Sequence, residues 1–255
     1  MRHGATDDPV AGIQFRITDW AAWAPGLESP EDWAIWARDV FVPGGDAMPA
    51  LTQIPPLQRR RIDRLGRAAI QAADGCRRTE DADAPLIFAS RHGDVVRSFA
   101  LLQDLCAQQP MSPTQFGLSV HNAIAALYSI VHGVRGNYTA LAGGKASIET
   151  ALVEAAGLLA DGALAVSVVY CDAHAPPAYD PFLDEPDAFY AFAWRVTADH
   201  AEGHRMSLSW EAATPPVPEP ADLPKALAAH HFLLSGMSAY RSHAEGLHWR
   251  WQQDA

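Results

Sequence analysis

The chain has 255 residues, 49% of them hydrophobic and 19% charged, enough to bury the core of one large domain or two small ones. A formal net charge of −11 argues against nucleic acid or an anionic membrane as the main partner, and no apolar run reaches the length of a transmembrane helix. Cys76, Cys106 and Cys171 are odd in number and widely spaced, and no apolar segment follows the first basic residues, so the sequence reads as cytoplasmic rather than secreted.

Residues 13–26, IQFRITDWAAWAPG, alternate apolar and polar side chains before Pro25-Gly26, which predicts a first strand and a loop. Trp20, Trp23, Trp33 and Trp36 read as core and rim aromatics. An irregular stretch follows, bracketed by Pro43-Gly44-Gly45 and Pro55-Pro56. Helical spacing over 57–75 predicts one helix with Gly75 as its C-cap and Arg59 to Arg61 on a solvated face. Residues 84–95 predict a short apolar strand and a polar turn, with a helix, VVRSFALLQDLCAQ, after it. The stretch 111–136 opens as a loop and becomes helical from about Ser119. NYTALAGG is extended, residues 146–162 form the next helix, and 163–173 form an almost wholly apolar strand. This alternation predicts an α/β fold with a buried, largely parallel sheet.

Composition changes after Ala173. PPAYDPFLDEPD is a proline-rich acidic loop, and DAFYAFAWRVTA and HRMSLSWEA read as two strands, paired antiparallel around DHAEGH. TPPVPEPADLP resembles a linker, and KALAAHHFLLSG predicts a short closing helix. His200 and His204, with Asp199, have metal-ligand spacing, but Gly203 and the flanking strands favour a hairpin loop, so no metal or cofactor is expected. His230 and His231 point in different directions from one helix, and Cys171 reads as a small buried hydrophobe.

The turn LAGGKAS, 141–147, presents a problem of its own. Two glycines between a strand and a helix clear space for a small group at the helix mouth, yet the residue there is Lys145, a cation that opposes the helix dipole. The helix behind it carries an apolar stripe of Ile148, Ala151, Leu152, Ala155, Leu158 and Leu159, with small residues over most of its other side. Such a helix is expected between two layers, which puts Lys145 at the mouth of a buried element.

GVRGNYTALAGGKASIETALVEAAGLLADGALAVSVV, 133–169, resembles the nucleophile segment of β-ketoacyl-acyl-carrier-protein synthases, of the thiolase-like fold. Counting forward from Gly133-Val134-Arg135-Gly136 and back from Gly162 reaches Lys145 at the position of that family's cysteine. SPTQFGLSVHNAIAAL is similar to the family's S-P loop and following helix, with Asn122 matching an asparagine, and RRRIDRLGRAAIQAA to an earlier helix that begins R-x-M-D. The cysteine is absent, and so are the histidine motifs H-G-T-G-T and N-x-F-G-F-G-G of the family's C-terminal half. Condensation needs a thiolate to hold the acyl chain and histidines to stabilise developing charge. The resemblance narrows to the cysteine-less chain-length factors that pair with an active ketosynthase in aryl polyene, type II fatty acid and polyketide systems.

That resemblance implies a single ketosynthase-like domain over 1–255, with a thiolase-like core at 10–175 and divergent C-terminal strands and helix at 176–255. It implies a thiolase-like half with a mixed, largely parallel sheet, helices on both faces and a shortened C-terminal extension. A β-ketoacyl-ACP synthase is the implied heterodimer partner, with acyl carrier protein meeting the chain only indirectly, through the complex. The strand Asn137, Tyr138, Thr139, Ala140 and Leu141 is implied at the partner interface, and Thr114, Gln115, Phe116, His121, Asn122 and Tyr128 along an acyl tunnel. Lys145 is then a degenerate nucleophile that plugs the vacant mouth or bonds a carbonyl or carboxylate nearby. The alternatives are a stand-alone decarboxylase or acyltransferase on carrier-protein thioesters, using Lys145 or His121, and a small-molecule binding protein. The tail aromatics Phe189, Tyr190, Phe192, Trp194, Trp210, Trp249 and Trp251 are expected to cover the face a second thiolase half would shield, and the isolated chain to self-associate.

Overall fold

A computed structural model describes residues 11–198, 202–213 and 221–254. The chain order is β1 (Ala11–Trp23), α1 (Pro30–Trp36), α2 (Pro56–Arg59), α3 (Arg64–Gly75), β2 (Leu86–Ala89), α4 (Val95–Cys106), α5 (Pro113–Gly117), α6 (Ala123–His132), β3 (Tyr138–Leu141), α7 (Ser147–Ala160), β4 (Val166–Asp172), β5 (Tyr190–Thr197), β6 (His204–Ala212), α8 (Lys225–Ser235), β7 (Ala239–Ala244) and β8 (Leu247–Gln253). All strands join one 8-stranded sheet, ordered β3-β2-β4-β5-β1-β6-β8-β7.

Helices lie on both faces. α1, α7 and α8 pack on one, against Phe15, Ile87, Val168, Tyr190, Phe192, Trp194, Leu208 and Trp251. On the other, α3 and α6 pack against Phe88, Val169, Cys171, Phe189, Ala191 and Ala193. Successive residues of β2, β4 and β5 thus feed opposite cores, which is why these strands are apolar at most positions on both faces.

The α/β class and mixed sheet agree with the sequence reading, but the parallel share is smaller than expected. β2 runs parallel to β3 and β4, and every other pairing is antiparallel. Parallel neighbours need a crossover, usually helical: α4 to α6 carry the chain from β2 to β3, and α7 carries it from β3 back to β4 beside β2. β5 and β6 do not form the expected hairpin, because β1 lies between them and pairs with both. β5 is apolar on both faces and takes a position covered on both sides. β6 alternates Met206, Leu208 and Trp210 with Ser207, Ser209 and Glu211, as suits a strand with one face open.

α8 is not the last element. β7 and β8 follow as a hairpin turning at Glu245 and Gly246, both with positive φ, 53° and 73°. The tail aromatics therefore do not lie over the sheet as a cover: Tyr190, Phe192 and Trp194 belong to its centre, and Trp210, Trp249 and Trp251 extend it. The expected helix over 57–75 is two helices, since Asp63 accepts a hydrogen bond from the Gly66 N–H and starts α3 afresh. Gly75 is no left-handed cap: a Cβ there would collide with the Ala21 Cβ, so glycine permits helix to meet strand. The helix expected from Ser119 begins at Ala123 as α6, and the stretch before it, expected as a loop, holds the short helix α5. α7 is buried on its sheet side alone, with Glu154, Gly157 and Ala160 exposed, so it is not sandwiched between layers. Asp199, His200 and the 214–220 segment lie outside the described residues. Among the described residues, no helix is long and apolar enough to cross a membrane.

Candidate functional site at the mouth of α7

β2, β3 and β4 end side by side, and the loops leaving their C-terminal ends converge at the N-terminus of α7. The crevice outside such strand ends is where α/β sheets gather chemistry. Here it holds Ser90 to Asp94, Leu141 to Lys145 and Asp172.

The turn into α7 is held from within. Ser147 Oγ accepts from the Gly143 N–H at 2.9 Å and donates to the Gly144 carbonyl at 2.7 Å. Gly144 has φ of 57°, a conformation that favours glycine, and a Cβ there would have to displace the Glu245 carboxylate. Glu245, from the β7–β8 turn, accepts the Lys145 N–H at 3.0 Å. The backbone donor that would face a ligand at the helix mouth is thereby taken by the chain's own carboxylate.

The Lys145 side chain turns to the acidic loop. Its Nζ lies 2.9 Å from Asp184 Oδ2, and Arg91 holds the other Asp184 oxygen at 2.6 Å. Arg91 also pairs with Glu185 at 3.1 Å, and Glu185 accepts the N–H of Lys225 at the start of α8. Burial works to raise the Asp184 pKa, but the hydrogen bonds from Lys145 and Arg91 prevail and hold it below the ordinary carboxylate range. Of the roles expected for Lys145, bonding a nearby carboxylate is the one observed.

Beneath this cluster, Asp172 is buried and hydrogen-bonded on all sides. It accepts from Ser90 Oγ at 2.7 Å, Tyr170 Oη at 2.5 Å and the Arg91 N–H at 3.1 Å. Burial pushes its pKa up, against the pull of those donors. Asp172 fixes the end of β4 to the end of β2, with both of its oxygens already accepting hydrogen bonds.

The residues expected along a tunnel divide. Thr114, Gln115 and Phe116 are exposed on α5, and His121 and Asn122 are exposed just before α6. His121 Nε2 donates to the Leu141 carbonyl at 2.9 Å, which ties this segment to the end of β3. Tyr128 is apart from them, buried against Phe88 with ring centroids 5.7 Å apart. Behind His121 a small cavity is lined by Phe88, Leu118, Val120, Ile124 and Cys171, with Ser90 and Asp94 as polar groups. Cys171 is buried there, as expected, and burial raises its thiol pKa well above the usual value.

β3 lies at one end of the sheet and pairs only with β2 among the described residues. The Asn137 and Leu141 carbonyls accept from Leu86 and Ser90, at 3.0 and 3.1 Å. By strand alternation the peptide groups of Tyr138 and Ala140 then face the open edge. On α4, α5 and the loop before α6, Leu102, Leu105, Phe116 and Val120 are 51, 57, 58 and 49% exposed. His204 is exposed at the start of β6.

Sequence reasoning located Lys145 but missed Asp184, Glu245, Arg91 and Asp172, which give it its setting. For Glu245 a signal existed: Glu-Gly between two alternating runs marks a hairpin turn. For Asp184 nothing local points back to Lys145.

Residues 33–252 match the family model described as β-ketoacyl synthase, N-terminal domain. No curated protein sequence matches the chain. A solved chain from the ketosynthase ApeO in complex with its chain length factor ApeC, from Xenorhabdus doucetiae, superposes with a TM-score of 0.81 at 26% identity, covering 94% of this chain and 99% of that one. A chain of the ishigamide ketosynthase/chain length factor gives 0.61 at 19% identity, covering 79% of this chain and 68% of that one. A β-ketoacyl synthase from Burkholderia phymatum gives 0.61 at 14% identity, covering 88% of this chain and 69% of that one.

Proposed function

This chain belongs to the β-ketoacyl synthase N-terminal-domain family, and from that premise we propose that it is a chain-length-factor subunit, without condensing chemistry of its own, that pairs with an active β-ketoacyl-ACP synthase in the cytoplasm. One observation carries the reading: the helix mouth is filled by the chain itself. The Lys145 side chain is paired with Asp184, and its N–H is given to Glu245. An acyl-transfer site needs a nucleophile and a vacant oxyanion donor there, and both places are occupied.

The match over nearly the whole length of a chain from a ketosynthase/chain-length-factor complex supports the partner assignment. The open edge of β3, Asn137 to Leu141, offers backbone groups for pairing across the subunit boundary. The exposed Leu102, Leu105, Phe116 and Val120 supply apolar area that a monomer would leave wet. This patch, rather than an uncovered sheet face, is the reason the isolated chain would self-associate.

Within the heterodimer, Thr114, Gln115, Phe116, His121 and Asn122 form a wall of the partner's acyl tunnel, with Tyr128 as support behind it. A wall of this kind ends chain growth by bulk. The acidic chain leaves the likewise acidic carrier protein to dock on the ketosynthase. A stand-alone decarboxylase or acyltransferase loses Lys145, which is ion-paired to Asp184, and would have to work through His121 alone, whose Nε2 is held by the Leu141 carbonyl.

Native mass spectrometry of the tagged chain recovered from its own host tests this. A one-to-one complex with a ketosynthase, and a condensation assay that needs both subunits, are expected. Recovery of the free chain or its homodimer alone would overturn the reading.

A further inference from the structure

Residues 102–117 are exposed without interruption, from the last turns of α4 through α5. They carry Leu102, Leu105, Met111 and Phe116, large apolar side chains left about half exposed. A run with so little burial has little packing to fix its shape.

Its principal side-chain anchor from the body of the protein is Arg97. This guanidinium is itself mostly buried and is gripped by two carboxylates: Nη2 bonds Asp63 Oδ2 at 2.6 Å and Nε bonds Asp94 Oδ2 at 2.6 Å. Each carboxylate caps a helix with its other oxygen. Asp63 Oδ1 accepts the Gly66 N–H at the start of α3, and Asp94 Oδ1 accepts the Arg97 N–H at the start of α4. Arginine's donors form a rigid planar fork, so two fixed carboxylates fix the direction of the third. That third donor, Nη1, bonds Gln115 Oε1 on α5.

We infer that Arg97 is the positioning residue of the partner-facing surface: it carries the rigidity of the α3 and α4 caps into α5 and holds Phe116 in the orientation in which the ketosynthase meets it. This rests on the proposed pairing. Arg97 need not touch the partner. Its effect is preorganisation, since a segment already ordered loses less conformational entropy on binding.

Gln115→Ala and Arg97→Lys test the inference in the full chain, by hydrogen exchange of the free protein and by the dissociation constant of the heterodimer. Gln115→Ala removes the last link and leaves both caps intact; because Gln115 also faces the partner, its exchange reads the anchor, and the affinity of Arg97→Lys, which leaves Gln115 in place, reads the link to pairing. Arg97→Lys keeps the charge but loses the fork. Loss of one charge-assisted hydrogen bond predicts about tenfold faster exchange over 107–122 and about tenfold weaker pairing. Exchange in α7 should not change. Unchanged exchange over 107–122 in Gln115→Ala would overturn the anchor. Faster exchange with unchanged affinity would overturn its link to pairing. A wild-type chain that pairs with no ketosynthase would overturn the function proposed above, and the exchange arm would then decide alone whether Arg97 holds the segment.

Discussion

Glu149 sits in the first turn of α7, wholly buried, where a sequence reading expects surface charge. Its Oε1 accepts from Ser242 Oγ at 3.0 Å and from Trp251 Nε1 at 3.3 Å, while its Oε2 is buried with no hydrogen-bond partner among the described residues. Burial raises its pKa from 4.5 to about 7. The folded chain therefore keeps this proton up to about pH 7, whereas the unfolded chain releases it near 4.5. Between those values folding takes up a proton, so the Glu149 contribution to stability is full below pH 4.5 and declines as pH rises to 7. The gap corresponds to about 3 kcal/mol lost above pH 7.

Glu149→Gln mimics the protonated acid and keeps both acceptor bonds. It should be close to neutral at pH 4.5 and stabilise the chain by about 3 kcal/mol at pH 8. Urea denaturation of both proteins at half-unit steps from pH 4.5 to 8.5 measures this difference. The difference, not the wild-type curve, is the quantity to read, because buried His230 works in the opposite sense. Burial, then the neighbouring His231, lowers its pKa to about 3, so its contribution is lost as pH falls from 6.5. A stability difference that stays flat across the range would refute the assignment of a buried proton to Glu149.

Three further outcomes follow from the mouth of α7 and the β3 edge. Gly144→Ala forces a side chain into positive φ against Glu245, and should cost more than about 2 kcal/mol, seen as a lowered melting temperature. Adding Glu245→Gly should restore the steric part, and a double variant no better than the single would exclude that clash as the cause. Lys145→Cys should not accept an acyl group from a thioester donor, because Glu245 still holds the N–H at that position; an acyl adduct in the intact mass would contradict this. Ala140→Pro removes an outward N–H from β3 and should weaken ketosynthase pairing at least about tenfold with little change in the denaturation midpoint of the free chain. Unchanged affinity would move the interface away from this edge.

The sequence by itself determined the elements whose burial is uniform along the chain. β2, β4 and the helix behind Lys145 are legible because a strand covered on both faces, or a helix laid on a sheet, must be apolar at nearly every inward position, and that pattern is local. The turn at Lys145 was legible too, because two glycines between strand and helix have few other uses. Tertiary structure decided what local pattern does not contain. Whether β5 pairs with β6 or admits β1 between them depends on which strand has helices on both sides, a property of the assembled sheet. The setting of Lys145 was beyond sequence for the same reason: Asp184 and Glu245 reach it from distant loops, and Coulomb attraction acts through distance in space, not along the chain. Glu149 is the sharpest case, a carboxyl in a polar position of its own helix, made a buried acid by a hairpin that arrives last in the chain.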